Sequence, residues 1–438
     1  MGMSLGSLMH DSFLIPAAPV GLGTSAELSR RAQLLAQSLR GLGVRSQGLL
    51  TALETGGPSI QLDRPAPAHN VVGVRPYQPV SARETDALGL SNKDPKEGEM
   101  LRLSLQESEI DSIKGLIAEI VAGIDSVEDE GLQSNAEVYA HELPRRVRKH
   151  LAEFKLHEPA GAICMISGYP IDQARVGPTP GHWKNKNGKS SVIEEEVLLV
   201  LFGSLLGECI GWATQQDGYV VHDILPIKGH EAEQMGSGSE QALVWHVEDA
   251  FHPYRGDYLG MLCLRNPDGV ATTYATVGDL PLTGEQLDLL FEPHYTIRPD
   301  ESHLQKNSAN PSRVEGELAD SYGHIEKMNT EPEKIAVLSG DRRSPYVRID
   351  PYFMDRVENE RAQEALDALI RVLDSRIGDL VLRSGDFCFF DNCKSVHGRR
   401  PFKARFDGTD RWMKRINVTR DLRKSRTARH EAGSRIIL

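Results

Sequence analysis

A chain of 438 residues, 39% of them hydrophobic, can bury a substantial core, which excludes a wholly disordered protein and leaves one large domain with additions or two modest ones. A net charge of -12 and a sequence pI near 5.7 oppose a nucleic-acid or anionic-membrane surface, because either would repel the field of the whole protein. The expected partner is a small molecule.

The first hundred residues are rich in Pro, Gly and small residues and contain one helical stretch, "SAELSRRAQLLAQSLRGLG"; they read as an N-terminal extension, residues 1–100, ordered only in part. One domain is expected over 101–438. Apolar residues recur at helical spacing in "MLRLSLQESEIDSIKGLIAEIVAGI", in 135–155 and in "SVIEEEVLLVLFGSLLGECIGWA", which places helices before any strong strand. After Gln241 the texture changes to short runs rich in β-branched and aromatic residues: "ALVWHVED", "YLGMLCLRN", "VATTYATV", "KIAVLSG", "YVRIDPYF", "DLVLRSGDFCFFDN" and "RWMKRINVTRD". Two helices interrupt this series, "TGEQLDLLF", opened by a capping box at Thr283 and Gln286, and "ERAQEALDALIRVLDSRI". The fold class is α+β, with helices packed on a double-stranded β-helix (jelly roll).

Five cysteines, Cys164, Cys209, Cys263, Cys388 and Cys393, are odd in number and mostly sit in apolar runs, so they read as reduced core residues. The longest apolar run, 197–210, is too short and too interrupted to cross a bilayer, and no leader pattern opens the chain. A cytoplasmic location without membrane contact is the expectation.

Two histidine-x-carboxylate pairs occur, His246-Val247-Glu248 and His324-Ile325-Glu326, and about two are expected by chance in a chain with 15 histidines and 62 acids. On a strand, residues i and i+2 share a face, the geometry two adjacent ligands of an octahedral metal require. His246 lies in an apolar strand and reads either as a ligand or as a hydrogen-bonded core histidine, whereas His324 lies in a polar stretch that reads as a loop. A triad of two histidines and one carboxylate needs a distant third ligand and leaves three positions open. His397, in "FFDNCKSVHGRRPF", is the candidate; its alternative is a polar loop histidine. In "DGTDRWMKRINVTRD", Arg411, Met413, Arg415 and Asn417 share one face of a strand. Two buried arginines on one face call for anions, and the carboxylates of small ligands would satisfy both.

Taken together, the runs "HELPRR", "GWATQQDG", "DILPIKG", "HVEDAFHPYRGDY", "LRNPDGVATT", "IRPDESHLQ", "VHGRRPF" and "DRWMKRINVTRDL" resemble the clavaminate synthase-like branch of Fe(II)/2-oxoglutarate dioxygenases, and within it the arginine hydroxylases of peptide-antibiotic pathways. The resemblance covers roughly residues 140–426. It implies iron ligation by His246, Glu248 and His397, with 2-oxoglutarate and O2 as cosubstrates. It further implies that Arg411 pairs with the distal carboxylate of 2-oxoglutarate and that Thr273 assists, neighbouring Thr272 being the alternative. Arg415 would hold the α-carboxylate of an amino acid, with Gln215 and Glu248 near its α-amino group.

One departure bears on the substrate. The arginine hydroxylases carry two acids one residue apart in the segment matching "YVRIDPYF", and here the first is Asp350 but the second position is Tyr352. A guanidinium favours a fork of carboxylates, whereas an ammonium is held by one carboxylate and neutral acceptors. The expected activity is hydroxylation at C3 or C4 of a free basic amino acid of the lysine, ornithine or arginine type. Desaturation or cyclisation of an arginine-derived or carrier-bound amino acid starts from the same hydrogen abstraction, and a cupin-like metal protein or a binding module with a structural metal are the rivals from other classes. Glu248 stands against halogenation, for which the carboxylate ligand gives way to a small residue. The Gly-rich stretch 228–241 reads as a lid, Trp212 and Trp245 as core aromatics, "LPRRVRKH" as a solvated helix face, and the oligomeric state is left open.

Overall fold

A computed structural model describes residues 100–185, 188–308 and 314–438. The expected N-terminal extension and its helix therefore lie outside the described residues. In chain order the strands are β1 (Leu101–Ser104), β2 (Ile163–Ser167), β3 (Glu208–Trp212), β4 (His222–Ile224), β5 (Leu243–His246), β6 (Tyr258–Arg265) and β7 (Thr272–Thr276). They continue with β8 (Leu338–Asp341), β9 (Ser344–Val347), β10 (Gly378–Leu380), β11 (Phe387–Asp391), β12 (Ser395–Arg399), β13 (Trp412–Thr419) and β14 (Ile436–Ile437). The larger sheet is mixed, in the order β1-β2-β11-β6-β13-β3-β14, with β4 also paired to β13; β1 runs parallel to β2 and β14 parallel to β3. A four-stranded antiparallel sheet, β10-β7-β12-β5, forms the second.

Strand alternation sorts the core into layers. Ile163, Met165, Leu259, Met261, Cys388, Phe390 and Met413 of the large sheet meet Tyr274 and Leu380 of the small one, so the two sheets face each other across an apolar layer. The opposite face of the large sheet carries Leu262, Leu264, Phe387, Phe389, Ile416 and Val418, covered by helices Glu107–Ala122, Glu130–Ala140, Arg145–His157 and Ile193–Ser204. Behind the small sheet, Trp245, Val247 and Ala275 pack with helix Glu360–Asp374. That helix buries Ala362, Ala365, Leu366, Leu369, Val372 and Leu373 on one stripe and starts where the Asn359 side chain accepts from the amides of Arg361 and Ala362.

Several expectations need correction. Strands and helices are interleaved from the start, because β1 occupies the first part of the "MLRLS" stretch, where Leu101 and Leu103 fit either period. Residues 135–155 form two helices; the break falls at Pro144, which lacks the amide a continuing helix needs and instead opens the second. The third helix ends at Ser204. At Gly207 the backbone runs so close to Thr419 that a Cβ would lie 2.2 Å from its carbonyl oxygen, and the chain then enters β3. An apolar run does not by itself separate a buried helix from a buried strand. His324 lies on helix Glu317–Thr330, not in a loop, and is exposed there. His397 lies within β12. The capping box at Thr283 and Gln286 forms as expected. All five cysteines are free, and no described helix is long and apolar enough to cross a membrane.

Lys414 ties the layers together. It is 2% exposed, points from β13 to the helix side, and its ammonium lies 2.7 Å from Glu196 on helix Ile193–Ser204 and 2.5 Å from Asp223 on β4. The Trp412 indole also donates to Asp223, at 2.7 Å. Removing the ammonium leaves two buried carboxylates without their shared cation. Lys414→Met is expected to lower unfolding free energy by about 3–5 kcal/mol, read by urea denaturation; a loss under about 1 kcal/mol would show the triad to be dispensable.

Candidate active site

The antiparallel pairing of β12 with β5 sets His397 directly opposite His246. Their rings lie 4.6 Å apart. Glu248 follows two residues later, and its Oε2 is 3.6 Å from His246 Nε2 and 3.2 Å from His397 Nε2. The three ligand-type atoms all lie within 4.8 Å of one another. His246 Nδ1 is 2.8 Å from the Val244 carbonyl, which only accepts, so that nitrogen carries a proton and Nε2 is the atom directed at the cluster. The Glu248 amide donates to Asn392 Oδ1 at 2.8 Å, and Asn392 Nδ2 returns bonds to the carbonyls of Glu248 and Gly256 at 3.1 and 2.8 Å. These bonds fix the backbone of the carboxylate beyond the end of its strand.

The electrostatics suit a cation. Burial opposes ionisation of Glu248, yet Arg415, His246 and His397 hold its carboxyl well below the usual range. Burial likewise opposes a charge on His246, but Glu248 and Asp350 raise it to about 9, while burial and the His246 charge lower His397. Without a metal the cluster therefore retains a proton that a divalent cation would displace.

On the large sheet, Arg411 and Arg415 line the same cavity as the cluster, as do Gln215 and Asp350. Arg415 donates to Glu248 Oε1, to Gln215 Oε1 at 2.7 Å and to His222 Nδ1 at 2.7 Å. Gln215 in turn donates to Ser302 Oγ at 2.5 Å. Arg411 is 4% exposed and makes one long contact, 3.5 Å to Thr272 Oγ1; its Nε finds no partner, and burial lowers the guanidinium to about 10. Asp350 is buried, accepts from the amides of Tyr352 and Phe353 at 3.1 and 3.4 Å, and is pushed by burial up to about 6. Tyr352, at the second acid's position, also lines the cavity and is 36% exposed.

Thr273 requires correction. The β7–β12 register pairs Thr272 with Arg399, Thr273 with Gly398 and Tyr274 with His397, so alternation directs Thr272 into the cavity and Thr273 to the outer face. Thr272 lines the cavity and Thr273 does not. Of the lid stretch 228–241, Gln234, Met235, Gly236 and Ser237 form part of the cavity wall. Trp212 and Trp245 are buried, donating to Asp249 and Asp374 at 2.7 Å each. Asn417, expected on the face of the two arginines, donates to Asp249 at 2.9 Å.

Sequence reasoning assigned no role to Asp300, Ser302, His222 or Arg399. Asp300 and Ser302 line the cavity within the "IRPDESHLQ" run, where paired polar residues between turns were the available signal. Arg399 was equally visible as an arginine two residues after His397; it is 3% exposed and bonds only carbonyls, Ser239 at 3.4, Gln241 at 3.3 and Arg400 at 3.5 Å. A second close grouping, Asp249, Asp300 and His303, is a hydrogen-bonded network: both Asp249 oxygens already accept, from Trp212, Asn417 and His303, and His303 Nδ1 meets the Thr214 hydroxyl at 2.9 Å.

No protein-family model matches the chain. It is 44% identical over 341 residues, 77% of its length, to enduracididine beta-hydroxylase of Streptomyces hygroscopicus, all of which is covered. It is 43% identical over 344 residues to the L-ornithine/L-arginine 3-hydroxylase of Catenulispora acidiphila, again covering 77% of this chain and all of the relative. Among solved structures, the non-heme iron oxygenase OrfP in complex with Fe, succinate and (3S)-hydroxy-L-Arg superposes with a TM-score of 0.74 at 45% identity, covering 77% of this chain and 99% of that one. The same oxygenase has been solved with Fe and alpha-ketoglutaric acid. The chain belongs to this family of non-heme iron, 2-oxoglutarate-dependent amino-acid hydroxylases.

The two His-x-Glu pairs give a direct test of the cluster. His246→Ala and Glu248→Ala are each expected to abolish stoichiometric Fe(II) binding, while His324→Ala, at an exposed position of its helix, leaves it unchanged. The reverse pattern in metal analysis of anaerobically loaded protein would overturn the choice.

Proposed function

We propose that the protein is an Fe(II)- and 2-oxoglutarate-dependent oxygenase that hydroxylates C3 or C4 of a free basic L-amino acid. The observation that carries this reading is the pair of arginines that line one cavity with the three-residue cluster, Arg411 buried just before β13 and Arg415 half-buried within it. An isolated guanidinium as buried as Arg411 is costly to keep charged unless an anion visits it. The facing sheets form the double-stranded β-helix, residues 101–438 make up the oxygenase domain, and residues 1–100 are an N-terminal extension in sequence.

His246, Glu248 and His397 would hold the iron, and three ligands leave room for a chelating cosubstrate and O2. When bound, iron, 2-oxoglutarate and O2 together supply the oxidant that converts an unactivated C–H bond to C–OH, with release of succinate and CO2. Arg411 and the Thr272 hydroxyl receive the distal carboxylate of 2-oxoglutarate. Arg415 receives the α-carboxylate of the amino acid, with Gln215 and Glu248 beside its α-amino group, and Asp350 takes the cationic end. Fixing both ends of the chain presents one methylene to the metal, which is the orientation such catalysis needs.

Tyr352 and Asp300 bear on which cation is taken. Asp350 alone replaces the fork of acids expected for a guanidinium, but Asp300 lines the same cavity and would supply a second carboxylate from another segment. Ornithine and arginine are therefore both within the substrate class, and C3 is the carbon named for the two relatives described above.

Succinate formation by iron-loaded protein, measured with 2-oxoglutarate and air against the twenty amino acids plus ornithine, is expected to be stimulated by a basic amino acid that gains one oxygen by mass. Stimulation by a neutral amino acid alone would refute the role of Asp350. Thr272→Val and Arg411→Met are expected to raise the KM for 2-oxoglutarate about tenfold or more, with Thr273→Val close to wild type. Equal effects of the two threonine variants would remove Thr272 from the site.

A further inference from the structure

Arg415 is held from behind by a residue to which no role has been assigned. Strand β4 pairs with β13 so that His222 lies directly across from Arg415. The imidazole is 2% exposed, with Nδ1 2.7 Å from Arg415 Nη2 and Nε2 2.8 Å from the carbonyl of Tyr219. A carbonyl only accepts and a guanidinium only donates. Both contacts are therefore satisfied by one form of the ring alone, the neutral imidazole with its proton on Nε2 and a lone pair on Nδ1.

We infer that His222 is a positioning residue that aims Arg415 at the substrate carboxylate without neutralising it. Gln215 Oε1, 2.7 Å from the same Nη2, is the second neutral acceptor. Together they fix the guanidinium from two directions and contribute no negative charge. A carboxylate at either position would hold the guanidinium as firmly but would compete with the substrate's carboxylate for its charge. Among the described residues the anion in contact with Arg415 is Glu248, whose charge would be shared with the metal when iron is bound. Arg415 Nε makes no hydrogen bond among the described residues, so the guanidinium is held through its terminal nitrogens.

The inference rests on the assignment of the α-carboxylate to Arg415, and its test separates the two. Binding of L-arginine and L-ornithine, and of agmatine and putrescine, the same molecules without the carboxylate, would be measured calorimetrically on anaerobic protein loaded with Fe(II) and 2-oxoglutarate. His222→Phe removes the acceptor, and His222→Asn keeps one near the Nδ1 position. His222→Asp replaces it with an anion. The Phe and Asp variants are expected to weaken the amino acids about tenfold or more and the amines less than about twofold, with Asn within about threefold of wild type and iron binding unchanged throughout. Equal weakening of acids and amines, or an Asn variant as poor as Phe, would overturn the inference.

Nitrogen-15 NMR of the labelled histidines supplies a readout that needs no substrate. His222 is expected to show an unprotonated Nδ1 and a protonated Nε2 in the wild type, and a protonated Nδ1 would overturn the contact even if the fold were intact. Wild-type protein that binds none of the four ligands would instead refute the substrate reading, with the tautomer still deciding the His222–Arg415 contact.

Discussion

The site depends on one strand pairing. If β12 slipped by a single residue against β5, His397 would turn to the outer face and Gly398 would take its place. The pairing is specified on both sides. Toward the cavity it sets His397 against His246, and toward the outer core Val247 and Trp245 pack with Val396 under helix Glu360–Asp374. Gly398 completes the fit, since a Cβ there would lie 2.5 Å from the Leu243 carbonyl oxygen and 2.8 Å from Thr273 Oγ1. The small residue lets the strands approach closely enough for the two histidines to reach a common metal position.

A division of labour between the sheets follows. The small sheet and the segment just beyond β5 carry the cluster of nitrogen and oxygen ligands, while the arginines come from the large-sheet side, Arg411 just before β13 and Arg415 within it. Alternation along β13 separates two kinds of charge. Arg411 and Arg415 face the cavity, among the described residues Arg411 without a carboxylate partner and Arg415 with Glu248 alone, whereas Lys414 faces the helices and is matched by Glu196 and Asp223. Matched charges hold the layers together, and the under-matched ones are left for ligands. The same contrast separates Asp249, whose oxygens are saturated by Trp212, Asn417 and His303, from Asp350, whose carboxylate meets only backbone amides at hydrogen-bond distance.

Much of this was legible in the sequence, and the failures have physical causes. His246, Glu248 and the arginine pair could be read because strand alternation fixes which residues share a face. His397 could be read as the candidate third ligand but not as a strand residue, because "KSVHGRR" is polar and short, and pairing on both sides makes it a strand. Thr272 and Thr273 are chemically identical neighbours, and which one faces inward depends on a register that no local pattern reports. β1 and β3 were absorbed into helices because the leucines of β1 fit both periods and the apolar run of the preceding helix continues into Cys209 and Ile210 of β3. His222 carried no signal at all, since its partner lies 193 residues away and is reached only through the β4–β13 pairing.

The claim that these residues form an iron centre receiving 2-oxoglutarate is tested most directly by anaerobic titration of the metal-free protein, followed by visible absorption. Fe(II) and 2-oxoglutarate together should produce a charge-transfer band that neither gives alone, lost in Glu248→Ala and perturbed when a basic amino acid is added. A wild-type protein that binds Fe(II) but shows no such band on addition of 2-oxoglutarate would contradict the account.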